Sequence, residues 1–200
     1  MGVISNGTTL LDAGALDSGI ATGSMTLLST STASSSATID ITSGIDSTYK
    51  EYQFHFTNIH PATNNADFTF QADTGTNTNY NQTMTTTSWR GYHSENDSDA
   101  AIGYDPGRDQ AQGTAFQILA HEIGNANDEN VAMILTLFNP SSSVFVKHFI
   151  ATNNINHNTG LSENKYVAGY FNTTTALTRV RFKMSSGNID AGTIKMYGIK

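Results

Sequence analysis

Glu51-Tyr52-Gln53-Phe54-His55-Phe56 places an aromatic ring at every second residue, with a polar side chain before each. A period of two is the mark of a β-strand with one face on a core and the other toward water. The same period recurs on both sides of this run. Upstream, Ala37, Ile39 and Ile41 alternate with Thr38 and Asp40; downstream, Phe68, Phe70 and Ala72 follow a turn through Pro61-Ala62-Thr63-Asn64-Asn65. Val180, Phe182 and Met184 repeat it, with Arg179, Arg181 and Lys183 on the opposite, solvated face. Asn188 to Gly192 then turns the chain into Thr193-Ile194-Lys195-Met196-Tyr197-Gly198-Ile199-Lys200, which reads as a paired closing strand.

Two regions are harder to read. Ala132-Met133-Ile134-Leu135-Thr136-Leu137-Phe138 is apolar at nearly every position, as expected of a strand buried between layers. A turn through Asn139-Pro140-Ser141-Ser142-Ser143 sends Val144 to Ala151 back as its hairpin partner. In residues 114–123, Phe116, Leu119, Ala120 and Ile123 fit one face of a helix, whereas Phe116, Ile118 and Ala120 fit a strand. No helix cap precedes this segment and a polar loop follows it, so it is read as a strand. The sum is about eight to ten short strands, the pattern of an all-β fold: an antiparallel β-sandwich, jelly-roll-like, over residues 37–200.

Composition agrees. Hydrophobic residues at 38% and aromatics at 10% suffice for a core, while 14% charged residues fall well short of the usual ~25%. Ser, Thr and Asn take their place, and these disfavour helix interiors by competing for backbone hydrogen bonds. The net charge of −7 and the lack of any Lys/Arg cluster argue against nucleic acid as a partner, since phosphate binding needs clustered cations. No apolar run approaches the roughly 18 residues of a membrane span. The first residues, Met1-Gly2-Val3-Ile4-Ser5-Asn6, lack a signal peptide's basic and apolar regions and miss the myristoylation pattern at Asn6. With no cysteine, thiol chemistry and Cys zinc sites are excluded; the compartment is left open.

Residues 1–36 stand apart: they carry two Asp, no Lys, Arg or aromatic residue, and end in Ser29-Thr30-Ser31-Thr32-Ala33-Ser34-Ser35-Ser36. Such a stretch cannot build a core of its own. It is either a loose tail or an extended N-terminal arm that orders against a neighbouring subunit, with Val3, Ile4, Leu10, Leu11, Leu16 and Ile20 as anchors, joined by Leu27 and Leu28.

Candidates for chemistry are few. Ala120-His121-Glu122-Ile123-Gly124-Asn125 approaches the His-Glu-x-x-His zinc motif, but Asn125 stands where the second imidazole belongs. The six histidines show no ligand spacing, and neither a Gly-x-Ser-x-Gly elbow nor a phosphate-binding glycine loop occurs. Glu95-Asn96-Asp97-Ser98-Asp99 and residues 125–130 offer hard oxygens without the EF-hand order, and read as exposed acidic turns. No catalytic residue, cofactor or metal is therefore expected. Tyr80, Trp89, Tyr92 and Tyr104 lie among Asn, Thr and Asp, a mixture used by protein interfaces and by glycan-binding surfaces; for Trp89 a core position is a third reading.

Two longer runs carry a family resemblance. Residues 138–149 (Phe138-Asn139-Pro140-Ser141-Ser142-Ser143-Val144-Phe145-Val146-Lys147-His148-Phe149) and residues 182–200, ending Gly192-Thr193-Ile194-Lys195-Met196-Tyr197-Gly198-Ile199-Lys200, resemble small virion structural proteins of marine tailed phages, of the cyanophage and pelagiphage type. The resemblance implies a jelly-roll-like fold and a virion location, and brings no catalytic residues. A short Ser/Thr-rich arm makes no fibre shaft, so the expectation is a non-enzymatic capsid decoration, or cement, protein. It would be made in the host cytoplasm and clamped on the major capsid protein lattice as a homo-oligomer, a trimer for preference. The alternative is a receptor- or glycan-binding, lectin-like module on the virion.

Overall fold

The computed structural model describes residues 2–12, 15, 16, 23–76 and 78–200, and every strand pairing among them is antiparallel. No described residue is helical. Twelve strands form one connected sheet: β4 (Met25–Ser36), β5 (Ile39–Ile41), β6 (Glu51–Pro61), β7 (Ala66–Asp73), β8 (Met84–Ser94), β9 (Ala100–Tyr104), β10 (Gln117–Ile123), β11 (Val131–Phe138), β12 (Lys147–His157), β13 (Leu161–Phe171), β14 (Arg179–Met184) and β15 (Ile189–Ile199). Before them, β1 (Val3–Ser5), β2 (Thr8–Asp12) and β3 (Ala15–Leu16) make a separate three-stranded sheet.

The connected sheet is a sandwich folded at one corner. Pairing runs β4-β15-β6-β11-β12-β13-β8-β9 through eight strands and β10-β7-β14-β5 through four; the two meet at a single residue pair, Ile123 with His157. What holds the layers face to face is aromatic. Phe68, Phe70 and Phe182 of the small sheet meet Phe54, Phe56, Phe149 and Phe171 of the large one, all essentially buried. Phe182 stacks on Phe68 at 5.9 Å and meets Phe56 edge-on at 5.0 Å; Phe70 meets Phe149 edge-on at 4.9 Å. Edge-on contacts of this kind add about 0.5–1.5 kcal/mol each beyond the area they bury.

The alternation read from Glu51–Phe56 is present in the structure: Tyr52, Phe54 and Phe56 point inward, Gln53 and His55 outward. Residues 117–123 form a strand as expected, and the cause of their ambiguity is visible. Leu119, Ala120 and His121 are buried in succession, the register slips on both sides of Ala120, and Glu122 takes a positive φ of 52°. A bulge puts neighbouring residues on one face and so imitates a helical pattern.

Three expectations need correction. Residues 29–36 are not an arm: they lie in β4, which pairs with β15 from Met25 opposite Ile199 to Ser36 opposite Ile189. Small hydroxyl residues suit this position because β4 is an edge strand, where polar side chains discourage further pairing. The sandwich thus begins at Met25. Nor do β1, β2 and β3 make one outstretched arm, since β1 pairs with β2 and β2 with β3. Of the expected anchors, Val3 and Ile4 are exposed, Leu10 and Leu11 half-buried; Leu16 lies in β3, and Ile20 falls outside the described residues. Lastly, β11 is not buried on both faces: Ala132 and Ile134 face solvent.

Phe182→Ala should lower the unfolding free energy by about 3–5 kcal/mol in urea titrations, because it empties the middle of the aromatic contact. Deleting residues 1–36 should markedly lower the melting temperature, since it removes β4 and bares the edge of β15; a deletion leaving that temperature unchanged would contradict the pairing.

Candidate functional site

Two places in the fold hold side chains that the packing alone does not call for. The first is the outward face of the eight-stranded sheet. In-register pairing lines up Tyr104, Trp89, Tyr166, Thr152, Ile134, His55 and Lys195 in one row. The next row holds Thr87, Ala168, Ile150, Thr136, Gln53 and Tyr197. Lys195 is the only Lys, Arg, Asp or Glu in these two rows. Trp89 is 40% exposed and lies flat against Tyr166, ring centroids 4.0 Å apart; Ile134 and Ile150 are 43% and 49% exposed. Two shallow hollows dent the face, one bordered by His55, Ile134, Thr152 and Asn164, the other by Thr87, His148, Ile150 and Tyr170.

The four aromatic candidates separate here. Trp89 and Tyr104 sit side by side on this face. Tyr92 is half-buried at the Arg90 guanidinium, 5.2 Å from its ring, and bonds Asp99. Tyr80 is no surface residue: it is 2% exposed, covered by Arg181 at 4.1 Å, and its N–H donates to the buried Asp73 carboxylate. Arg181 is itself gripped by Asp40 through two hydrogen bonds.

The second place is a buried polar cluster at the sheet corner. Neighbouring inward positions of β13 carry Glu163 and Lys165, both 0% exposed. Arg90 of β8 donates to Glu163 Oε2 at 2.7 Å and to His121 Nε2 at 2.9 Å. Arginine keeps its protons, so Nε2 is the acceptor and the neutral ring carries its hydrogen on Nδ1. That nitrogen lies 3.2 Å from Glu163 Oε1 and 3.3 Å from Lys165 Nζ. Nζ in turn lies 2.5 Å from Asp105 Oδ2. Beside this group Arg108 binds Glu122 at 2.8 Å, and Glu122 meets His157 at 3.0 Å.

Burial, reinforced by Lys165, Arg108, Arg90 and His157, pushes His121 down to a pKa of about 2. Burial also lowers Lys165, against the opposing pull of Asp105 and Glu163. Three permanent or potential cations, Arg90, Arg108 and Lys165, thus face three carboxylates, Asp105, Glu122 and Glu163.

His121, Glu122 and His157 bring ligand atoms within 4.8 Å of one another, so the fold supplies a second imidazole that the linear motif lacks. The local spacing showed no partner because His157 comes from β12. The donor set fits a metal poorly, however. Arg90 occupies His121 Nε2, Lys165 crowds Nδ1, and Arg108 holds Glu122. A dication would have to displace guanidinium groups and settle beside an ammonium, so the geometry is that of an ion-pair network. Compared with known protein families, with curated proteins and with solved structures, the chain matches none.

The network dictates an acid response. His121 stays neutral when folded and protonates near 6.5 when unfolded, so the unfolded chain binds the extra proton below that pH. Stability should therefore be full above pH 6.5 and fall as pH drops from there toward 2. His121→Asn should flatten the upper part of this decline in melting temperatures recorded between pH 7 and 4.

Proposed function

We propose that this chain is a non-enzymatic structural protein that works by docking on other protein subunits through the outer face of its eight-stranded sheet. The observation that carries the reading is that face itself: two rows of in-register side chains with exposed Trp89, Ile134 and Ile150 and a single formal charge, at Lys195. Charge depletion with aromatic and aliphatic enrichment is what the centre of a protein interface needs, because little must be desolvated when the surface closes. A face this flat, with only shallow hollows, suits a broad partner better than a small molecule.

The likeness of residues 138–149 and 182–200 to virion proteins of marine tailed phages supplies the assembly. In this reading the protein decorates the capsid, bound to the major capsid protein lattice and repeated with its symmetry, a trimer fitting that lattice best. The net charge of −7 keeps free copies soluble and away from packaged nucleic acid.

One feature favours a second reading. The coplanar Trp89–Tyr166 pair beside His, Asn and Thr side chains is also a platform for sugar rings, as a lectin-like module on the virion would present. The test is direct. Ile134→Asp and Ile150→Asp should each cost about 2 kcal/mol of binding to particles depleted of this protein, on the order of thirtyfold in affinity, with the melting temperature held. Saturable glycan binding abolished by Trp89→Ala, with particle binding intact in the Asp variants, would instead establish the lectin.

A further inference from the structure

The chain buries two lysines, and they are not alike. Lys147 Nζ donates to the carbonyls of Phe145 and Thr173 and is thereby satisfied. Lys165 Nζ abuts a carboxyl group, Asp105 Oδ2 at 2.5 Å, inside a site that also holds the fully buried Glu163. Asp105 is fixed there: its N–H donates to Ser88 O at 2.9 Å, and its side chain is 15% exposed. Glu163 accepts from Arg90 through Oε2 and faces the Nδ1–H of His121 through Oε1, so the imidazole stands between its carboxylate and Nζ.

From this geometry we infer that Lys165 and Asp105 condense into an intramolecular isopeptide bond. Nζ first passes a proton to the Asp105 carboxylate in contact with it, leaving a neutral amine beside a neutral carboxyl group. The amine attacks Cγ. Its surplus proton passes within the tetrahedral intermediate to the departing hydroxyl, which leaves as water. One C–N bond forms, one C–O bond breaks, charge is conserved, and no oxidant or activated ester is needed.

Three physical terms favour the step. Burial lowers the pKa of Lys165, which supplies the free amine that nucleophilic attack requires. Holding nitrogen and carboxyl in contact replaces an improbable encounter by a local rearrangement. Condensation also removes a cation and an anion from a site where both are costly to keep. Arg90 with Glu163 and Arg108 with Glu122 remain balanced afterwards. The bond would cross-link positions 60 residues apart and tie the turn after β9 directly to β13.

Intact-mass spectrometry of the purified full-length protein reads this without ambiguity. The folded chain should weigh one water less than its sequence, and digestion should give the Lys165 peptide joined to the Asp105 peptide. Lys165→Met and Asp105→Ala should restore the full mass. Asp105→Asn should arrive at the wild-type mass by losing ammonia. Full sequence mass in folded wild-type protein after long incubation at neutral pH would overturn the inference, as would a lost water mapped to another pair. The wild-type measurement decides even where a variant fails to fold.

Discussion

Glu163 is wholly enclosed, and an ionised carboxylate removed from water must be met by charge and hydrogen bonds from the protein. Much of the large sheet's second half follows from that demand. Arg90 must come from β8 to reach Oε2, which fixes β8 beside β13 in a register where residue 90 stands opposite Lys165. His121 must be swung inward by a bulge in β10, and that bulge carries the strand across to its one pairing with β12. The corner of the sandwich and its polar interior are therefore one construction. Elsewhere the layers are held by phenylalanine rings and would tolerate many substitutions of similar volume.

The parts of the fold that could be read in the chain are those where side-chain chemistry and pleat agree. Tyr52, Phe54 and Phe56, or Val180, Phe182 and Met184, alternate without interruption because one side of each strand meets the core and the other meets water or polar cover. Where the structure departs from that agreement, reading failed in specific ways. The bulge at Ala120 broke the period. The β4 run of Ser and Thr looked too poor to fold because its stability comes from β15, far away in sequence. Ile134 looked like a core residue because hydrophobicity does not say which face is covered. Tyr80 looked like a surface ring, since nothing local announces that Arg181 will close over it.

The candidate site was less legible still. His121 and Glu122 attract notice as a fragment of a zinc motif, but their real partners, Arg90, Asp105, Arg108, His157, Glu163 and Lys165, come from four other stretches of the chain. Residue type alone does not distinguish a lysine that will be enclosed from one that stays wet. A weak signal was available in β13: Glu163 and Lys165 occupy the same phase as Val167 and Phe171, so charged residues fall on what the strand's own period marks as the inner side.

The antiparallel pair of β4 and β15 carries a consequence for biosynthesis. β15 is inserted between β4 and β6, so two strands made early wait for one made late. While the ribosome is still extending the chain, β6 has an open flank and β4 lacks the strand it pairs with among the described residues. The sandwich can close only once β15 has been translated, which makes its folding late and slow for its size. During that interval the nascent protein exposes Tyr52, Phe54 and Phe56 to its neighbours, and a chaperone that shields such surfaces would raise the yield of folded protein.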